Sequence, residues 1–134
     1  MMIGLARDML GMSDEDIANV TPEKEQELRN QMENLSKFRL VAEVVKSKYC
    51  VVGAKVGQRI VLNGVQVDQE ATDCPLCVAA IAPLLRCLNI YLDRCAHGRD
   101  IAAPMAGITC DDPGLEVGGL GSISMKVRVE PISQ

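Results

Sequence analysis

The sequence predicts an α+β fold: a single small domain with a largely antiparallel sheet packed on one central helix, preceded by an N-terminal helical arm. Three observations carry this. Two runs alternate apolar and polar residues with a period of two, Phe38 to Val45 and Ile123 to Val129. Between them Asn63-Gly64 marks a tight hairpin. The stretch Asp73 to Cys95 is the longest apolar segment, and its Ile81, Leu84, Leu85, Leu88, Leu92 and Cys95 recur at the spacing of one helix face. A chain of 134 residues suffices for one core and leaves little room for a second.

Taken in order, residues 1–35 read as the helical arm. Met2, Leu5, Met9 and Met12 share a helical face. Gly11 then interrupts, and Ser13 is placed to cap a short turn through Asp14, Glu15 and Asp16, where a helix start favours negative charge. Thr21-Pro22 is a second start signal, since proline suits the first helical position. Leu28, Met32 and Leu35 give that helix one narrow apolar stripe for packing.

A boundary near Ser36 opens the α+β domain, residues 36–134. Its first strand turns Phe38, Leu40, Ala42 and Val44 to one face. Tyr49 to Gly57 reads as a loop, followed by the hairpin Arg59 to Asp68. Asp73 is available to cap the central helix, and Gly98 to stop it through a left-handed cap. Asp100 to Gly107 looks irregular, and Cys110-Asp111-Asp112-Pro113-Gly114 is built from turn-formers. Gly118, Gly119 and Gly121 let the chain turn tightly or approach another backbone before the last strand, whose Ile123, Met125, Val127 and Val129 face inward.

Composition excludes several function classes. Net charge is -4 and the aromatics are only Phe38, Tyr49 and Tyr91, so the footprint and stacking surfaces of a nucleic-acid binder are missing. No apolar run reaches the roughly 18 residues of a membrane span. The opening residues lack a basic start and a clear cleavage region, which places the chain in the cytoplasm. Charge is uneven: residues 13–33 hold seven acids against Lys24 and Arg29, and residues 37–59 hold six bases against Glu43. Either the two blocks neutralise each other in the fold, or the basic block holds an anion.

Six cysteines in a reducing compartment point to buried, catalytic or metal-bound thiols rather than a disulfide scaffold. Cys74-Pro75-Leu76-Cys77 stands where the helix is expected to start, and free amides there would stabilise a thiolate. Cys50, Cys74, Cys77 and Cys110 form the candidate metal set, for zinc or an iron-sulfur cluster, with His97 able to replace one ligand. The same Cys74 is the nucleophile of a thiol-disulfide oxidoreductase reading. Cys87 and Cys95 lie deeper in the helix and read as core. His97 reads as a helix C-terminal residue favoured by the dipole, and Asp111-Asp112 as turn residues before Pro-Gly.

Tyr49-Cys50, Lys55-Val56-Gly57-Gln58, Cys74-Pro75 with Ala79, Ala80 and Pro83, then Cys110-Asp111-Asp112-Pro113-Gly114 and Gly118-Gly119-Leu120-Gly121-Ser122 follow one another in a recognisable order. This succession resembles a family of small, mostly uncharacterised prokaryotic proteins with a cysteine loop and a cysteine-proline helix. It spans about residues 38 to 130, leaves the arm outside, and does not include Cys77. The resemblance implies no activity; it singles out Cys50, Cys74 and Cys110 as one set. The expectation for function is a non-catalytic accessory or interaction subunit, with or without a thiolate metal site, that meets a protein partner or a second copy through its methionine-bearing arm. The rivals are the oxidoreductase and a small enzyme holding an anionic substrate on the basic block.

Overall fold

Two helix starts in the arm form as their capping residues dictate. A computed structural model describes residues 2–132, with side chains from residue 4 onward, so Met1 and the predicted place of the Met2 side chain lie outside the described residues. Helix α1 spans Met2–Leu10, α2 Asp14–Ala18 and α3 Pro22–Leu35. Ser13 Oγ accepts from the Asp16 amide at 3.1 Å, and Thr21 Oγ1 accepts from the Lys24 amide at 3.1 Å, each satisfying a donor the helix cannot.

Strand β1 (Phe38–Lys48) is followed by β2 (Arg59–Asn63), β3 (Gln66–Val67), helix α4 (Val78–His97), β4 (Ile108–Thr109), a 3₁₀ turn at Leu115–Val117 and β5 (Ser122–Pro131). All pairings are antiparallel and the sheet order is β3-β2-β1-β5-β4. The predicted α+β architecture is therefore present: one sheet, with α4 lying on the face that carries Leu40, Ala42, Val44, Ile60, Met125 and Val127. The central pair joins the two ends of the domain, with Phe38 opposite Pro131 and Lys48 opposite Ser122. Both edge strands are two residues long, which limits the exposed backbone available for unwanted pairing. The edge of β2 is covered further by Thr72 to Cys74: Thr72 Oγ1 accepts from the Val61 amide at 2.9 Å, and the Asp73 amide donates to Arg59 O at 3.1 Å.

The hairpin forms one residue later than expected. Leu62 pairs with Val67 and Asn63 with Gln66, so the turn residues are Gly64 and Val65, with positive φ only at Gly64. Glycine at the first turn position is the alternative tight-hairpin solution to Asn-Gly. This register sets Val67 against the core beside Leu62.

The inward face of α4 is also rotated from the expected one. Ala80, Leu84, Cys87, Tyr91 and Cys95 are buried on the sheet, whereas Leu85 is exposed and Ile81, Leu88 and Leu92 are only half-buried. The helix is apolar on two faces, and the small residues Ala80, Cys87 and Cys95 let its backbone approach the sheet. Ile81, Leu85 and Leu88 instead meet Val65 and Val67 of the hairpin in a shallow surface groove.

Helix α3 is bound to the body by amides and by one residue of its apolar stripe, Leu35. Asn30 Nδ2 donates to Ala96 O (2.8 Å), Asn34 Nδ2 to Cys95 O (2.9 Å) and Gln31 Nε2 to Leu92 O (3.1 Å). Two of these acceptors are carbonyls that the end of α4 leaves without a helical partner. Leu35 reaches the core, but Leu28 and Met32 point towards α1 and α2. At the other cap, Gly98 takes the expected left-handed conformation at φ 64.

On the opposite face of the sheet, Val41 and Val61 are fully buried although no helix covers them. Charged side chains lie over them. Arg59 and Arg39 approach Glu130 Oε2 at 2.9 and 3.5 Å, and Arg128 bridges Glu130 (2.8 Å) and Glu43 (3.1 Å). Burial works against the Glu130 charge, but Arg128 and Arg59 hold its carboxyl below the usual range. The arginines of the basic block are thus answered by Glu43 and Glu130. The acidic block of the arm contributes one exposed pair, Glu33 to Lys37 at 3.1 Å.

Candidate functional site

Cys50 and Cys77 lie near Cys74 ahead of α4, and the Cys110 turn is tied to the first turn of the same helix, by a route the sequence did not disclose. Pro83 has no amide to give Ala79 O four residues earlier. That carbonyl instead accepts from the Asp111 amide at 2.8 Å, which ties the Cys110 turn to the first turn of α4. Cys110 Sγ accepts from the Ile123 amide at 3.4 Å. Cys50 follows Tyr49, a non-glycine residue held at φ 55, and packs against the same core.

The Cys74 to Cys77 segment corrects one expectation. Helix α4 begins at Val78 with Cys77 as its cap residue, so Cys74 lies ahead of the helix, at a bend in the lead-in. Asp73 does not cap the helix; its Oδ1 accepts from the Arg59 amide at 2.7 Å. Cys74 is 4% exposed and its Sγ faces Pro75 O at 3.6 Å. Burial pushes its thiol up, and Asp73, Cys50 and Cys77 nearby push the same way. This is the opposite of the helix-stabilised thiolate that a nucleophilic Cys74 requires.

Cys50 and Cys77 are therefore within electrostatic reach of Cys74, and Cys110 is carried to the same end. Among the described residues, however, no group of three or more His, Cys, Asp or Glu side chains gathers closely enough to hold a metal ion. His97 is at the far end of α4, with Nε2 3.4 Å from Asp93 Oδ1, and cannot join the set. Cys87 and Cys95 are buried in the core as expected, and burial raises both thiols. All six cysteines are free. In the native protein a thiol reagent should label Cys50, Cys77 and Cys110 first, with Cys74, Cys87 and Cys95 reacting only on unfolding. Peptide mapping after timed alkylation reads this directly, and early labelling of Cys74 would contradict its burial.

The glycine-rich loop is organised by Asp112, whose Oδ1 accepts from the Gly114 and Leu120 amides, both at 2.9 Å. Those two bonds hold its carboxyl below the usual range. Gly119 closes on Asp112 and Pro113, and Gly121 lies against the carbonyls of Lys48 and Tyr49, so both serve close approach as expected. Between this loop and the end of β1 is an open cavity of 360 Å³ containing Lys48, Tyr49, Glu116 and Ser122. Lys48 Nζ sits 5.3 Å over the Tyr49 ring, and Glu116 brings an opposing charge to the same lining.

A largely apolar concavity lies on the arm. Leu5 and Leu10 of α1, Met12, Ile17 of α2, and Leu28 and Met32 of α3 enclose 190 Å³ that opens to solvent. Helix α1 makes its main contacts with α2, to which Arg7 adds a 2.7 Å ion pair with Asp14. Met9 and Leu10 are 75% and 73% exposed. No helix among the described residues is long and apolar enough to cross a membrane. No family model, curated protein or solved structure matches the chain.

Proposed function

We propose that this chain is a non-catalytic interaction subunit that docks a protein partner through the groove of its N-terminal arm. The observation that carries the reading is the contrast between α3 and α1. Helix α3 is bound to α4 by three amide hydrogen bonds, while α1 turns Leu5 and Leu10 to an apolar groove and leaves Leu10 largely exposed. The 190 Å³ enclosed is small for a metabolite, whose sites run to roughly 300 Å³ and more, but suits the side chains of a docked segment. Methionines adapt to such a contact because their side chains are unbranched and polarisable. Six free thiols, three of them inside the core, suit a reducing cytoplasm. We group the chain with the small prokaryotic family its cysteine and glycine motifs resemble, which adds no activity to the reading.

The decisive comparison is between the full chain and a chain lacking residues 1–12. If the arm serves docking, removal leaves the thermal midpoint within a few degrees and abolishes association measured by analytical ultracentrifugation with the partner or with itself. If α1 is instead part of the fold, the midpoint drops sharply and association is unaffected, and the reading falls. Removing all of residues 1–35 would not test this, because it strips the amides of α3 from the end of α4.

A further inference from the structure

We propose that the outer face of the sheet docks the acidic tip of the arm of a second copy, so that copies join head to tail. This face is the one opposite α4, and no helix covers it. Residues paired across neighbouring strands share a side, so the register turns Arg39, Lys46 and Lys48 of β1, Arg59 of β2, and Lys126 and Arg128 of β5 to it. Against these six bases the strands set two acids on the same side, Glu43 and Glu130. The arginines are engaged by those glutamates, but Lys46, Lys48 and Lys126 are exposed and form no ion pair among the described residues.

The complementary charge is carried by the same chain. Residues 13–23, which form α2 and the start of α3, hold Asp14, Glu15, Asp16 and Glu23 and no base. Arg7 answers Asp14, whereas Glu15, Asp16 and Glu23 are exposed and form no ion pair among the described residues. Their places in first helical turns suit their own helices, but no such local role accounts for three unpaired lysines on one sheet face. In size the two match: Lys46 and Lys48 are about 7 Å apart along β1, and α2 is about 7 Å long.

The fold keeps these charges apart within one copy. Helix α3 packs on α4, and α4 lies on the inner face of the sheet, so the arm is on the side away from the lysines. The one ion pair between the acidic and basic blocks, Glu33 with Lys37, involves neither the tip nor the face. Contact between two unlike surfaces leaves one of each free at the ends, so assembly runs as an open chain or closes into a ring rather than a two-fold pair. A nucleic acid is the poorer occupant, because the strand residues on this face include no aromatic side chain for stacking. The contact uses the charged tip and the sheet, not the apolar groove, and stands apart from the docking reading above.

Sedimentation velocity of the full chain should show reversible self-association at about 50 mM salt that weakens at least tenfold at about 1 M, where charges are screened beyond roughly 3 Å. Association through the apolar groove would instead survive 1 M salt, so the two contacts are read apart. The variants Lys46→Glu, Lys48→Glu and Glu15→Lys, Asp16→Lys should each lose self-association at least tenfold, and mixing the two should restore it, since each reversed surface meets its complement on the other variant. Recovery on mixing also shows that both are folded; if either melts well below the parent, Lys46→Gln, Lys48→Gln removes the charge without reversing it and should weaken the contact likewise. A full chain that stays monomeric at low salt, or variants that associate as the parent does, would overturn the proposal, as would folded variants that fail to recover on mixing. A monomeric chain that binds oligothymidylate or polyglutamate, and loses that binding in the lysine variant, would assign the face to a nucleic acid or to an acidic segment of another protein, and the second copy is then excluded.

Discussion

Replacing Gly121 by alanine is expected to cost about 3 kcal/mol, at the upper end of what forcing extra atoms into a packed site costs. A Cβ at this position would fall within the contact radius of the carbonyl oxygens of Lys48 and Tyr49. Both are main-chain atoms at the end of the central strand pair, where Lys48 faces Ser122, so relief requires parting β1 from β5. Gly118→Ala is the matched control: its φ is 93, but nothing lies within 4 Å, so only backbone strain of about 1 kcal/mol is added. Urea unfolding of the two variants should separate them by about 2 kcal/mol. Equal midpoints would show that the close approach at Gly121 is absent.

Tyr91 is expected to give two changes of opposite sign. It is fully buried at the centre of the α4–sheet interface, and its hydroxyl has no hydrogen-bond partner of good geometry among the described residues. Burial pushes the phenol up, and the Cys95 thiol one turn on pushes the same way. Tyr91→Ala removes a whole ring and should cost about 3–5 kcal/mol. Tyr91→Phe removes only the unsatisfied oxygen and should stabilise by about 1 kcal/mol. Thermal melts of both variants test the pair of claims. A phenylalanine variant less stable than the parent would mean that Cys95 or a buried water satisfies the hydroxyl.

The parts of the fold legible in the sequence were those set by local chemistry. Ser13 and Thr21 cap as their side chains allow, Gly98 stops α4, and the alternation in β1 and β5 places Leu40, Ala42, Val44, Ile123, Met125 and Val127 in the core. What was not legible depended on competition between near-equal alternatives. Helix α4 has two apolar faces, and bulk pointed to Ile81, Leu85 and Leu88, but the face of Ala80, Leu84, Cys87, Tyr91 and Cys95 took the sheet contact. Asn63-Gly64 supports a turn in either of two registers, and packing of Val67 on the core selected the later one. Asp73 had two backbone clients and took Arg59. The meeting of Cys110 with the start of α4 rests on the carbonyl that Pro83 frees, a long-range bond that no local pattern announces. The polar contact row Asn30, Gln31 and Asn34 was passed over because amides on a helix read as solvent-facing until a carbonyl end is placed opposite them.

The pairing of β1 with β5 also governs how the chain acquires its structure in time. The two central strands are the first and last of the body, with Phe38 opposite Pro131, so closure spans more than ninety residues. Loop-closure entropy makes such a pairing late, and a topology of this kind folds slowly for its size. During synthesis β1 and the β2–β3 hairpin emerge early with the apolar side of β1 uncovered, and α4 follows. Until β5 leaves the ribosome, Val41 has neither its Arg128 neighbour nor the Glu130 side chain that holds Arg59 and Arg39 across it. The vulnerable species of this protein is therefore the nascent chain that ends before Ser122.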